Sequence, residues 1–337
     1  MYLLFVFYLF MMDTTLSLAS YNSNGHGCGR FEYINKLMKC NDIVLVQEHW
    51  LFENEITIFQ NKIDDILVHG ISSMDNRQLL IGRPHGGCAI IWKKNLQCQI
   101  TPINCNSKRL CAVIVKMNGM ILLLVNLYMP CDTSVDNSNE FECVLNEMST
   151  LIVNHNVDHI IIGGDFNADL SRSTSLHVEK LLMFVEKENL KCALSYEGSH
   201  VNFTYESKIS GNRSTIDHFI LSENLFDMIS VYESIHDGDN LSDHCALNVT
   251  LNIPVVYSDE LTKCKTAQID WKNAKQQNIL DYKEELDDNL SRICIPWQAL
   301  KCKNLYCKEH NVDLEFFLTS IVNSYMVAIN KCIPSFK

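Results

Sequence analysis

Between residues 16 and 253 the chain alternates short apolar runs with turn-forming polar residues. The runs cover 16–21, 43–47, 88–92, 110–117, 120–127, 159–162, 215–221 and 246–253, and their Val, Ile and Leu content predicts strands. Two helical periods lie between them. Residues 140–155 place Phe141, Val144, Leu145, Met148, Leu151 and Ile152 on one face, and residues 176–190 turn Leu181, Leu182, Phe184 and Val185 inward. Strands outnumber helices, and Asn118-Gly119 between two of the runs is a hairpin signal. The pattern predicts an α/β sandwich with much antiparallel pairing rather than a doubly wound parallel sheet.

After Ile253-Pro254 the texture changes. Residues 271–290 are polar and helix-favouring, and 314–329 form an amphipathic helical period. Charge shifts at the same place: residues 1–257 hold 17 Lys and Arg against 29 Asp and Glu, and residues 258–337 hold 11 of each. The expected division is an apolar leader at 1–12, a catalytic domain at 13–254 and a connector at 255–337. The leader, MYLLFVFYLFMM, is shorter than the about twenty residues that span a bilayer. Its length fits a signal segment, with Ser17-Leu18-Ala19 as a cleavage site, but it has no basic start and cleavage would remove the first strand. Secretion or membrane association therefore stays open on the leader alone.

Composition narrows the class. A 47% hydrophobic content with 13 Gly and 6 Pro in 337 residues excludes collagen-like and disordered chains. A net charge of −12 excludes a polycation that coats nucleic acid. The 15 cysteines are odd in number and scattered, which reads as free thiols in a reducing compartment. Cys302-x4-Cys307-x2-His310, with Cys294 or Cys332 as a fourth ligand, has zinc-binding chemistry. Buried thiols beside a surface histidine are the plainer reading of that unusual spacing.

The informative polar residues stand just past the ends of apolar runs. Asn22 follows the first, Glu48 the second, and Asn126 and Tyr128 close the fifth. Asp165 and Asn167 follow 159–162 through Gly163-Gly164, Asp217 lies in Ser214-Thr-Ile-Asp-His218, and Ser242-Asp243-His244 precedes the last run. Each has an ordinary reading as a turn or cap. Converging on one rim of a sandwich, several carboxylates and amides, a phenol and an imidazole are costly to desolvate without a purpose.

In this order the motifs resemble the endonuclease/exonuclease/phosphatase superfamily, the DNase I-like fold. They are Tyr-Asn22-Ser-Asn-Gly, Gln47-Glu48, Gly86-Gly87-Cys-Ala-Ile-Ile-Trp92, Asn126-Leu-Tyr128-Met-Pro130, Gly164-Asp165-Phe-Asn167-Ala, Ser214-Thr-Ile-Asp217 and Ser242-Asp243-His244. Within it the chain looks most like the endonuclease domain of non-LTR (LINE-type) retrotransposons. The tail resembles the segment between endonuclease and reverse transcriptase in such polyproteins. The resemblance implies a four-layer α/β sandwich of two mixed, largely antiparallel β-sheets flanked by helices, plus a mainly helical C-terminal segment. It departs from many relatives at Cys131, where they carry Asn.

The implied activity is metal-dependent phosphodiester hydrolysis, in particular DNA nicking that starts target-primed reverse transcription. By the resemblance Glu48, assisted by Asn22, holds Mg²⁺, for which Mn²⁺ can substitute, and Asp165 deprotonates the attacking water with Asn167 fixing its geometry. His244 contacts the phosphate, oriented by Asp217 and supported by Asp243. Tyr128 donates to a non-bridging oxygen, and Thr204, Ser214 and Asn126 bind phosphate. Arg30, Lys108, Arg109 and Arg213 are candidate rim cations. The implied partners are target-site duplex DNA and, within a longer polyprotein, element RNA or reverse transcriptase, in a nuclear or cytoplasmic setting and without a membrane. The alternatives are another activity of the superfamily, namely an apurinic-site nuclease, sphingomyelinase or inositol-phosphate phosphatase, or an inert element fragment.

Overall fold

Strands β1 (Thr14–Asn22) and β2 (Ile43–Gln47) run parallel, and β2 is buried at every position. A strand can be apolar throughout only when both of its faces are covered. Ile43 and Leu45 point into one cluster with Val113, Leu122 and Leu124, while Val44 and Val46 point into another with Phe31, Ile34 and Leu37. The first cluster fills the space between two sheets, and the second lies under helix α1 (Cys28–Cys40). In the computed structural model the described residues are 14–75, 80, 82–132, 137–155, 157–253, 271, 273–293, 295–302 and 308–334. They fall into two compact units, one within residues 1–257 and one within 258–337.

The first sheet continues through β3 (Ile66–Ile71) and β4 (Cys88–Lys93). The second contains β5 (Gln99–Ile103), β6 (Leu110–Met117), β7 (Met120–Tyr128), β8 (His159–Asp165) and β9 (Leu190–Cys192). The remaining strands are β10 (Ser199–His200), β11 (Tyr205–Glu206), β12 (Arg213–Ser214), β13 (Asp217–Ser222), β14 (Ile229–Ile235) and β15 (Ala246–Ile253). Their order is β10-β14-β15-β1-β2-β4-β3 in one sheet and β5-β6-β7-β8-β13-β9 in the other, with β11-β12 as a separate ribbon. Most pairs are antiparallel; β1–β2, β7–β8 and β10–β14 are parallel. Helix α2 (Ile58–Lys62) joins α1 on the first sheet, and α3 (Ser138–Asn154) and α4 (Leu176–Lys187) cover the second. The short α5 (Glu223–Phe226) follows β13. Helix, sheet, sheet, helix is the four-layer sandwich expected from the sequence. Each large aliphatic or aromatic side chain fully buried between such layers contributes about 1.5–3 kcal/mol.

Local differences from the expected elements have physical causes. Residues 159–162 continue as strand to Asp165, because Gly163 and Gly164 serve close packing rather than a turn. A Cβ on Gly163 would stand 2.6 Å from Leu45 Cδ1, and one on Gly164 (φ 143°) 2.1 Å from the Leu127 carbonyl oxygen. Strand β13 begins at Asp217, not 215, since the amides of Ile216 and Asp217 donate to Thr204 Oγ1. In α4, Leu182 faces outward and Val178 takes the inner position. The Asn118-Gly119 hairpin is present, both residues at positive φ and Met117 paired with Met120.

The second unit contains α6 (Gln276–Ser291), α7 (Trp297–Leu300) and α8 (Lys308–Cys332). Asn278 Nδ2 donates to the Cys332 carbonyl, and Lys331 pairs with Glu285. Among the described residues the cysteines form no disulfide, and no helix is long and apolar enough to cross a membrane. The apolar leader, and Cys294 and Cys307 of the Cys/His cluster, lie outside the described residues.

Candidate active site

Pairing register assembles the site. The parallel pair β1–β2 sets Asn22 beside Gln47, so that Glu48 follows at the same edge. The parallel pair β7–β8 sets Tyr128 beside Asp165, and the antiparallel pair β13–β8 sets Asp217 opposite Asp165. An isolated bridge joins Tyr205 to His244, two residues before β15. The ends of β1, β2, β7, β8 and β13, from two sheets, and the approach to β15 thus meet at one rim.

Asp165 is almost fully buried. Its Oδ1 accepts from the Asn167 amide at 2.9 Å and its Oδ2 from Asn22 Nδ2 at 2.9 Å. The same Asn22 nitrogen donates to Glu48 Oε1 at 3.0 Å, while Asn22 Oδ1 accepts from the Asn24 amide. Oriented this way, Asn22 joins the two carboxylates by its N–H groups and turns its oxygen away from them. Asn167 Nδ2 donates to the Met129 carbonyl.

His244 Nδ1 lies 2.9 Å from Asp217 Oδ2, and its Nε2 lies 3.9 Å from Asp165 Oδ2. Burial disfavours the imidazolium, but Asp217 and Asp165 outweigh it and raise the His244 pKa to about 10. Burial, then the charge of Asp217, raises Asp165 to about 7 against the opposing pull of His244. Burial, then Glu48, pushes the Tyr128 phenol up. Asp217 Oδ1 is buried without a partner among the described residues.

Other expected contributors sit differently. Asn126 is fully buried between the sheets: its Oδ1 accepts from Gln47 Nε2, and its Nδ2 donates to the Val46 and Ala89 carbonyls. We therefore assign Asn126 to the sheet-to-sheet contact rather than to a phosphate. Thr204 is likewise buried, its hydroxyl oxygen taken by two backbone amides of the β13 entry. Ser214 is half-buried in β12, opposite Tyr205. Asp243 accepts from Asn24 Nδ2 at 2.8 Å, and its charge adds to those that raise the His244 pKa. Among the rim cations, Arg30 donates to the Ser23 carbonyl, Arg109 pairs with Glu140 and stacks on Tyr128, and Arg213 pairs with Glu206. Lys108 takes part through its backbone carbonyl, which accepts from Ser73 Oγ.

Several contributors carried no clear signal in the sequence. Asn240 Nδ2 donates to the His244 carbonyl, and the Tyr205 ring packs edge-on against the His244 imidazole; Ser242, which its motif did mark, donates through Oγ to the Asn22 carbonyl. Trp50 Nε1 donates to Glu48 Oε2 at 3.2 Å, an arrangement that depends on left-handed backbone at both residues. Asn24 had a partial signal in the Asn22-Ser-Asn-Gly25 turn.

The donor set suits a hard divalent cation. Asp165, Asp217 and His244 bring one ligand atom each within 4.8 Å of one another. His244, engaged by Asp217 and held as imidazolium, is a poor ligand, because metals take the neutral ring. The carboxylate oxygens of Glu48 and Asp165, held on one amide nitrogen, are the hard donors that Mg²⁺ or Mn²⁺ prefers.

Residues 122–248 match a family model described as endonuclease-reverse transcriptase. No curated protein matches the chain by sequence. Solved structures do match. The endonuclease domain of TRAS1, a telomere-specific non-LTR retrotransposon, is 15% identical with a TM-score of 0.55, covering 71% of this chain and 99% of that one. The AP endonuclease LMAP from Leishmania major is 13% identical with a TM-score of 0.56, covering 71% and 88%. The 3′ phosphatase NExo from Neisseria, bound to a product DNA hairpin, is 13% identical with a TM-score of 0.54, covering 69% and 98%. At such identities the likeness is one of fold. Two packed mixed sheets and flanking helices give the first unit the four-layer α/β sandwich fold of these nuclease structures, with a rim of strand-end polar residues.

Proposed function

We propose that the first unit is a metal-dependent phosphodiesterase that nicks duplex DNA, in the manner of a non-LTR retrotransposon endonuclease. The observation that carries this reading is Asp165: a buried carboxylate at a strand end, aimed by two N–H donors, beside a His–Asp pair. With its pKa raised to about 7, Asp165 is matched to accepting a proton from water near neutral pH. The His244 imidazolium, kept cationic by Asp217, neutralises charge on a phosphate oxygen. Tyr128, kept protonated by burial and by Glu48, donates to a non-bridging oxygen. Glu48, held by Asn22, would hold Mg²⁺, or Mn²⁺ in its place, while Asp165 takes the proton. When bound, the cation supplies Lewis-acid stabilisation of the phosphate and the leaving oxygen.

The match to the endonuclease-reverse transcriptase model supports the mobile-element reading over the other activities of the superfamily. In that role the nick supplies a primer for reverse transcription, with element RNA and a reverse transcriptase as partners. The test compares an intact duplex with an abasic duplex, sphingomyelin and a phosphoinositide as substrates in Mg²⁺. Nicking of the intact duplex, leaving a 3′ end that a polymerase extends, is expected; cleavage of the abasic or lipid substrate alone would contradict it.

A further inference from the structure

The loop after β2 reverses twice within three residues: Glu48 has φ 51° and Trp50 φ 56°, strained conformations for residues with a Cβ. His49 between them is buried and locked. The Leu51 amide donates to His49 Nδ1 at 3.0 Å, and the ring stands 3.1 Å through Nε2 from the Ile71 carbonyl. A Cβ on Gly87 would sit 2.3 Å from that ring. The Trp50 amide donates to the Gly86 carbonyl, fixing the loop from the other side.

This strained loop brings the indole back over the carboxylate two residues before it. Trp50 Nε1 donates to Glu48 Oε2 at 3.2 Å while Asn22 holds Glu48 Oε1 at 3.0 Å. The indole is held in place on its own account: a Cβ on Gly25 would meet Trp50 Cε3 at 2.6 Å, and the Arg83 guanidinium lies 5.3 Å from the ring centroid. A carboxylate with one oxygen tethered to an amide and the other to an indole N–H has lost the rotation that a half-exposed glutamate otherwise keeps. Outer donors of this kind commonly set metal affinity, and removing one costs about 10–100-fold.

We propose that Trp50 is a positioning residue for Glu48, its indole N–H fixing the carboxylate for a hard divalent cation and Arg83 clamping the outer face of the ring. This rests on the reading of Glu48 as the cation's carboxylate. Trp50→Phe removes the N–H donor and leaves an aromatic ring, smaller than the indole, at the position.

The test measures Mn²⁺ affinity of the full chain from the electron paramagnetic resonance signal of free Mn²⁺, in wild type, Glu48→Gln and Trp50→Phe. Trp50→Phe is expected to bind Mn²⁺ about tenfold more weakly, with the nicking rate at saturating Mn²⁺ changed less than the affinity. If Glu48→Gln weakens binding and Trp50→Phe does not, the Trp50 proposal is overturned and the reading of Glu48 stands. If Glu48→Gln binds as wild type, that reading fails and the proposal fails with it. A measurement that leaves Trp50 in place uses Tb³⁺ and excitation of the indoles. Sensitised emission from the wild type that is lost in Glu48→Gln supports a cation beside Trp50; a protein that binds Mn²⁺ without such emission overturns it.

Discussion

Asp217 Oδ2 stands 2.9 Å from His244 Nδ1, both side chains buried, at positions 27 residues apart in the chain. The pair holds the ring in one orientation and keeps it charged. Asp217→Asn replaces the charge with an amide whose own N–H competes for Nδ1. Activity is expected to fall about 10²–10⁴-fold, the range for losing a positioned acid–base group. The His244 pKa is expected to move well down from about 10, read from the imidazole proton resonances as pH is varied.

Asn22 links two carboxylates through one nitrogen, so its loss acts on both. Asn22→Ala is expected to lower nicking by about 10²-fold and to weaken Mn²⁺ binding, in the range found when a supporting partner is removed. Nicking kinetics at a series of Mn²⁺ concentrations check this; unchanged metal dependence would show that Asn22 supports the fold alone.

Asn126 predicts the opposite signature. Its amide makes three buried hydrogen bonds across the sheets, one to Gln47 and two to backbone carbonyls. Asn126→Ala is expected to cost about 2–4 kcal/mol of stability by stranding those partners. Denaturant unfolding reads the loss, and substrate affinity of the folded fraction is expected to stay within twofold.

His49 carries a pH prediction. Burial lowers its pKa to about 4 from 6.5, so the folded protein favours the neutral ring. A depressed histidine contributes stability above its unfolded pKa, and that contribution is lost as pH falls from 6.5 through 4. The loss amounts to roughly 2–3 kcal/mol. His49→Gln, measured by denaturation in chelator across that window, is expected to give a flatter profile, with proton uptake on unfolding smaller by close to one.

The sequence made much of this arrangement legible. Strand runs that end at Asn22, Glu48 and Asp165, and one that starts near Asp217, mark a shared rim because side-by-side strands must begin or end near one another. What a single sequence hides is which way a polar side chain turns. Asn126 and Asn22 both close apolar strands, yet one lies between the sheets and the other faces the rim. Gly163-Gly164 reads as a turn, and only the approach of Leu45 and the Leu127 carbonyl explains why it is strand. Helix α1 does space Phe31, Ile34, Leu37 and Met38 helically, but Gly27 and Gly29 at its start obscure it. Strand β5 carries Pro102 at a sheet edge, and β10, β11 and β12 are two residues long, too short for any period.

The central claim is that Asp165 and its neighbours hydrolyse phosphodiester bonds in DNA with a divalent cation. Supercoiled plasmid incubated with the protein and Mg²⁺ tests it most directly. Conversion to open circle by the wild type, abolished by chelator and reduced by about 10³-fold or more in Asp165→Ala, is the predicted result. A wild-type protein that leaves the plasmid supercoiled in both Mg²⁺ and Mn²⁺, or an Asp165→Ala variant that nicks as well as wild type, would contradict it.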